Sequence, residues 1–230
     1  INILGGEIQG DRATHKLDQV NNTWNNSKGF NSPYYGEWGT GIAASAAKNI
    51  TIANVKINNC WGDGILLFPD NSVAKTGGAS VQANNVHISH CLIDNNRRQG
   101  ISVGSVDGVE IDHCLIQNTN GTGPAAGIDI EPAAETNEVA ENVHVHDNAL
   151  VGNNNAGVTA YAAKGTHIKN LHIDHNTLVQ NAAWMPGSIV TNQVEGTEID
   201  HNHLVNASGS QFNTIWLMST SNTNVHDNYG

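Results

Sequence analysis

The segment Gly127-Ile128-Asp129-Ile130-Glu131 alternates apolar and acidic residues, which puts two carboxylates at positions i and i+2. On a strand these positions share a face, and the strand rise alone starts their side chains roughly 6.5–7 Å apart. That overlaps the roughly 6.5–9.5 Å between the carboxyls of an inverting glycosidase, in which one acid protonates the leaving oxygen and the other carboxylate activates a water. A salt bridge at the end of a ladder and a bound cation are the competing uses of the same two groups. Equivalent outward positions of neighbouring segments carry Phe68, Tyr161 and Trp216, aromatic faces on which sugar rings stack.

The corners preceding such segments add charge and further aromatics. They read Glu37-Trp38-Gly39-Thr40-Gly41, then Trp61-Gly62-Asp63-Gly64, then Asn95-Asn96-Arg97-Arg98-Gln99-Gly100. Asp63 and Gln99 take equivalent places one repeat apart, which makes Asp63 a second base candidate or an orienting partner. Two adjacent arginines among only 10 basic residues form a candidate clamp for an acidic sugar or a sulfate. Their competing role is to brace the corner by pairing with Asp63 or Glu131. The catalytic candidates are therefore Asp129, Glu131 and Asp63. The substrate-binding candidates are Arg97, Arg98, Gln99, Glu37, Trp38, Trp61, Phe68, Tyr161 and Trp216. No metal ligand set is assigned.

These side chains need a scaffold, and the chain supplies one by repetition. One segment type reads NVHISHC from Asn85, GVEIDHC from Gly108, NVHVHDN from Asn142, NLHIDHN from Asn170, GTEIDHN from Gly196 and NTNVHDN from Asn222, with a looser NITIANV from Asn49. A second type begins with a small residue and alternates: GIAAS, GILLF, GISVG, GIDIE, GVTAY, SIVTN and TIWLM. A third inward position recurs at Ile57, Ile93, Ile116, Leu150, Leu178 and Leu204 and predicts a third short strand per turn. One such coil cannot bury its own apolar side chains, but coils stacked at about 4.8 Å cover one another's inward residues. The prediction is an all-β fold, a right-handed parallel β-helix of about eight coils, with Ile65, Leu67, Ile101, Val103, Ile128, Ile130, Val158 and Ile189 inward. The whole of 1–230 reads as one β-helix domain cut from a longer chain. The stretch from Asp11 to Tyr35 breaks the repeat and is expected to run beside the groove.

Columns of the repeat assign further roles. Val55, Cys91, Cys114, Asn148, Asn176, Asn202 and Asn228 fall at one bend, where buried asparagines bond to their stacked copies and to turn backbone. Cys91 and Cys114 read as small apolar fillers rather than a disulfide. His87, His144 and His172 form one column and His90, His113, His175 and His201 another, both on the polar side of the same strand. Interleaved with Glu110, Glu198, Asp112, Asp147 and Asp200, they predict an exposed face of carboxylate–imidazole pairs rather than a metal centre. A net charge of −11 with 10 Lys and Arg argues against a nucleic-acid partner, and no apolar run reaches the roughly 18–20 residues of a membrane span.

The strings GDGILL, NNRRQGISV and NGTGPAAGIDIEP, joined by the NVHISHC-type repeat, resemble the right-handed parallel β-helix proteins of the pectin-lyase-like superfamily. Within it they are most similar to bacterial and phage-borne members, including tailspike-type polysaccharide depolymerases. The resemblance implies a polysaccharide-degrading enzyme, a glycoside hydrolase acting on a bacterial or acidic glycan at the cell exterior or virion surface, and a homotrimer. The alternatives it allows are a lyase or C5-epimerase on uronic acids and a non-catalytic glycan-binding or structural module. No cofactor is expected, save Ca²⁺ on Asp129 and Glu131 if the reaction is elimination. The Asn-Thr-Asp, double-Asp and His-Gly motifs of polygalacturonases are missing, as is the Tyr-Gly-Phe-Asp-Pro-His motif of alginate epimerases.

Overall fold

The computed structural model describes residues 1–15, 38–70, 72, 80–133, 138–180, 187–206 and 214–230. Each repeat contributes three strands separated by bends, and every ladder is parallel. An eight-stranded sheet stacks β1 (Asn2–Leu4), β4 (Lys48–Ala53), β7 (Ala83–Ser89), β10 (Val106–Asp112), β13 (Val139–His146), β16 (His167–Asp174), β19 (Val194–Asp200) and β22 (Ser221–His226). A second sheet stacks β2 (Glu7–Gln9), β5 (Lys56–Asn58), β8 (Leu92–Asp94), β11 (Leu115–Gln117), β14 (Ala149–Val151), β17 (Thr177–Gln180) and β20 (His203–Asn206). The third, which bears the candidate site, stacks β3 (Ile42–Ser45), β6 (Ile65–Phe68), β9 (Ile101–Val103), β12 (Ile128–Ile130), β15 (Val158–Tyr161), β18 (Ile189–Asn192) and β21 (Ile215–Met218). This is the right-handed parallel β-helix that the repeats predict.

Register follows the columns of the repeat. On the third sheet Ile65 lies beside Ile101, Ile101 beside Ile128 and Ile128 beside Val158, all with no exposed surface. The second sheet adds the stack Ile57, Ile93, Ile116, Leu150, Leu178, the third inward column. Each fully buried aliphatic side chain contributes ~1.5–3 kcal/mol relative to exposure, so the stacks dominate stability. The predicted asparagine ladder is present between the eight-stranded and second sheets. Asn176 Nδ2 donates to the carbonyls of Val145 and Asp174, each at 2.8 Å, while its Oδ1 accepts the Asn148 N–H at 3.0 Å. The cysteines of this column are free and buried, with the Cys91 N–H directed at Cys114 Sγ. A second polar column was not foreseen: Asn96 Oδ1 accepts the Cys60 N–H, and Asn153 Oδ1 the Thr119 N–H, at the bend leading to the third sheet.

Two kinds of position explain the recurring glycine and asparagine. Asn49, Asn85, Gly108, Asn142, Asn170, Gly196 and Asn222 open the NVHISHC-type segments with φ between 51° and 80°, a left-handed conformation that these residues tolerate best. The glycines before the third-sheet strands act through close approach instead. A Cβ on Gly100 would lie 2.4 Å from both the Gly127 carbonyl oxygen and Ile116 Cγ2, so neighbouring coils meet at these corners backbone to backbone. The expectation for the Asp11–Tyr35 stretch falls, beyond His15, outside the described residues.

Candidate active site

Outward positions of the third sheet align Ala43, Leu66, Ser102, Asp129, Thr159, Val190 and Trp216. Asp129 is the acid of that column, and it is 2% exposed. The face was expected to be an open, elongated groove. The structure corrects this, because Ser102, Asp129, Thr159 and Val190 point away from the core yet are buried. Instead there is a small open pocket of about 190 Å³ lined by Phe68, Arg98, Ser102, Asp129, Glu131 and Glu138, among others. Typical ligand sites hold about 300–1,000 Å³, so the pocket admits a fragment the size of one sugar unit rather than a stretch of polymer.

Burial disfavours the charged form of Asp129. Burial raises its pKa far above the ordinary carboxylate range, the negative charge of Glu131 raises it further, and Arg98 opposes the shift only in part. Asp129 Oδ2 accepts Gln99 Nε2 at 2.8 Å, and no donor reaches the buried Oδ1. Glu131, an exposed residue, lines the same pocket as Asp129. The strand-rise argument expects two carboxyls on one face, and both line one pocket, Asp129 buried and Glu131 exposed. The arrangement is a buried acid coupled to a carboxyl that faces solvent.

The corner residues split between bracing and exposure. Asp63 is fully buried, pairs with Arg98 Nη1 at 3.0 Å and accepts the Gln99 N–H at 3.1 Å. Gln99 is fully buried too, and its Oε1 accepts the Ala126 N–H at 2.9 Å while its amide holds Asp129. Asp63 and Gln99 therefore form a polar ladder that fixes Asp129 from below, with no surface of their own for substrate. Arg97 is 4% exposed; its guanidinium lies 4.1 Å from the centre of the Trp61 ring and its Nη1 donates to the Trp61 carbonyl. His15 also stacks on Trp61, at 4.2 Å. Arg97 and Trp61 thus brace each other, while the pairing with Asp63 weighed as the competing role of the arginines is made by Arg98. Trp38 is 82% exposed, and Glu37 lies outside the described residues.

Aromatic residues flank the carboxyl pair along the stack. The column beside Asp129 continues as Phe68, Gly104, Glu131 and Tyr161, so Glu131 has an exposed Phe68 two coils away and an exposed Tyr161 on the next coil. Gly104 between them leaves the pocket floor bare of side chain. Trp216, half-buried, lies three coils beyond Asp129, about 14 Å along the stack. Sequence reasoning missed Glu138, which lines the pocket, is 4% exposed and accepts the Ala133 N–H at 3.0 Å. It immediately precedes a strand of a different sheet, so no column of the repeat marks it.

The histidine face is the carboxylate–imidazole surface expected. Asp112, Asp174 and Asp200 each accept from two imidazoles: His87 and His113, His144 and His175, His172 and His201. His90, His113, His175 and His201 do not lie on the strand, as the column reading had it. They occupy the bend after it with φ between 51° and 54°, or 49° for His113, where their rings stack in pairs.

Comparison with known proteins matches these features to the family described as right handed beta helix region, over residues 17–178. Among curated proteins the chain is 34% identical over 181 residues to Uncharacterized protein YclG of Bacillus subtilis (strain 168), covering 76% of this chain and 29% of that protein. It is 26% identical over 178 residues to SPbeta prophage-derived uncharacterized protein YorA of the same organism, covering 75% of this chain and 29% of that protein. The chain thus spans under a third of the length of these relatives. With its three parallel sheets, stacked aliphatic columns and asparagine ladder, the chain belongs to the right-handed β-helix family.

Proposed function

We propose that this β-helix acts on polysaccharide as a glycoside hydrolase of the phage-tailspike type, with the Asp129–Glu131 pair as its proton donor. The observation that carries the reading is a buried carboxyl beside an exposed one in a single pocket flanked by aromatic rings, with burial raising the pKa of the buried acid. Glycosidic cleavage needs a neutral acid near the leaving oxygen, and this pairing keeps one proton available where an isolated surface carboxylate would lose it. Glu131 meets the substrate and Asp129 stores the proton. Glu138, the third carboxylate of the pocket, is the candidate for the opposing group that activates water. Arg98, committed to Asp63, orients the pocket rather than abstracting a proton, which disfavours the lyase and epimerase alternatives. The prophage origin printed in one relative's name agrees with a phage-type enzyme working outside the cell or on a virion surface.

The test is incubation with bacterial and uronate-containing glycans, reading new reducing ends and ultraviolet absorbance together. Hydrolysis gives reducing ends without absorbance, elimination gives both, and retention on immobilised glycan without turnover indicates a binding module. Loss of turnover in Glu131→Gln and Glu138→Gln supports the assignment. Turnover that survives both substitutions refutes the assignment to the pocket carboxyls.

A further inference from the structure

Away from the pocket, the outward face of the eight-stranded sheet brings ligand-type side chains together. The sequence His144-Val145-His146 of β13 lies in register with His172-Ile173-Asp174 of β16. Alternation sends the two valine and isoleucine side chains inward and leaves three imidazoles and a carboxylate outward on adjacent coils. The rings of His144 and His172 stack with centroids 4.7 Å apart and planes within 4°. Asp174 Oδ1 lies 2.6 Å from His144 Nε2 and 3.5 Å from His172 Nε2. The three ligand atoms lie within 4.8 Å of one another.

We infer that His144, His172 and Asp174 form a binding site for a divalent transition-metal ion, with zinc the matching case. Tetrahedral zinc with metal–nitrogen bonds of about 2.0–2.1 Å sets its ligand atoms about 3.3 Å apart. The 2.6 and 3.5 Å spacings to Asp174 Oδ1 bracket that value, and one of the two stacked rings turns to bring both Nε2 lone pairs onto the ion. Two imidazoles and one carboxylate suit a borderline ion, and three protein ligands leave room for water. The imidazoles are more than a third exposed, so the ion enters from solvent. On binding, the proton on each Nε2 leaves to water. Asp174 Oδ2 is held by His175 Nδ1 at 2.6 Å, an outer contact that fixes the carboxylate's orientation, and Asp200 Oδ1, which accepts from His172 Nε2 at 2.8 Å, gives up that bond when the nitrogen takes the ion.

Three other groupings on this face lack that combination. His146 has both ring nitrogens on carboxylates, Nδ1 on Asp147 and Nε2 on Glu110, which withdraws it from the Glu110–His144–His146 group. His226 is engaged the same way by Asp227 and Glu198, beside Asp200 and His201. The group of His87, Glu110 and Asp112 offers one imidazole.

Calorimetric titration of the metal-free protein with zinc, followed by cobalt substitution and visible absorption, tests the site. One saturable equivalent is expected, with a tetrahedral cobalt spectrum. Asp174→Asn and His172→Gln should each weaken zinc at least tenfold, whereas His226→Gln should leave it unchanged. His172 is exposed enough that its variant folds; circular dichroism checks the Asp174 variant. Failure to saturate, several equivalents of similar affinity, unchanged affinity in both ligand variants, or equal weakening by His226→Gln would each overturn the site.

Discussion

Replacing Asp129 by asparagine separates the storage of a proton from the holding of a structure. In the native protein Oδ2 accepts from Gln99, and burial raises the pKa of the carboxyl. Asparagine keeps the Gln99 bond, its oxygen accepting from Nε2, so the fold has no new buried charge to accommodate. The linkage sign is fixed by the direction of the shift. A carboxyl whose folded pKa is raised contributes most below its unfolded pKa of about 3.9, and that contribution is lost as pH rises through the folded value. Across that window wild type loses up to ~1.4 kcal/mol per pH unit relative to Asp129→Asn. For a chain of this size that is ~3–5 °C in Tm per pH unit. Thermal unfolding of both proteins at pH 4.5, 5.5 and 6.5 should therefore give Tm curves that diverge, the variant gaining. On a cleaved glycan the same substitution should lower kcat by about 10²–10⁴, the usual contribution of a positioned acid. Parallel Tm curves would refute the buried proton; diverging curves with unchanged kcat would make it purely structural.

Other perturbations test the scaffold and the rim of the site. Asn176→Ala strands two buried carbonyls and the Asn148 N–H, at ~1–3 kcal/mol each, so chemical denaturation should show a loss of about 3–9 kcal/mol or failure to fold. Gly100→Ala drives a methyl into Gly127 and Ile116 and should cost ~1–3 kcal/mol, a fall in Tm of about 2–12 °C by scanning calorimetry. Tyr161→Ala removes a stacking face beside Glu131 without touching the core, so steady-state kinetics should show KM raised several-fold with kcat nearly unchanged.

The sequence made the scaffold legible because stacking turns every inward or bend position into a column, and a column repeats one chemistry many times. Ile93, Ile116 and Leu150, or Asn148, Asn176 and Asn202, can be aligned by eye because each sees its own copy above and below. The site obeys no such rule. Asp129 was visible as an acid interrupting a column of neutral residues, but its burial depends on what covers the outer face, and loops between repeats have no period. Glu138 and the engagement of Asp63 with Arg98 depend on contacts between corners of different coils. Spacing along the chain does not encode those contacts.

That asymmetry carries a physical argument about where function sits on this fold. A position within a stack is constrained by its neighbours above and below, so a residue that departs from its column, such as Asp129 among Leu66, Ser102, Thr159 and Val190, gains nothing from stacking. Its burial penalises the charged form, and the Asp63–Gln99 ladder below supplies only one hydrogen bond in compensation. The shift favours the neutral carboxyl, and Glu131, exposed to solvent, lines the same pocket. A destabilising acid whose neutral form is favoured, beside a carboxyl open to solvent, is the arrangement expected of proton transfer. A purely structural column would have placed a threonine there, as the next coil does with Thr159.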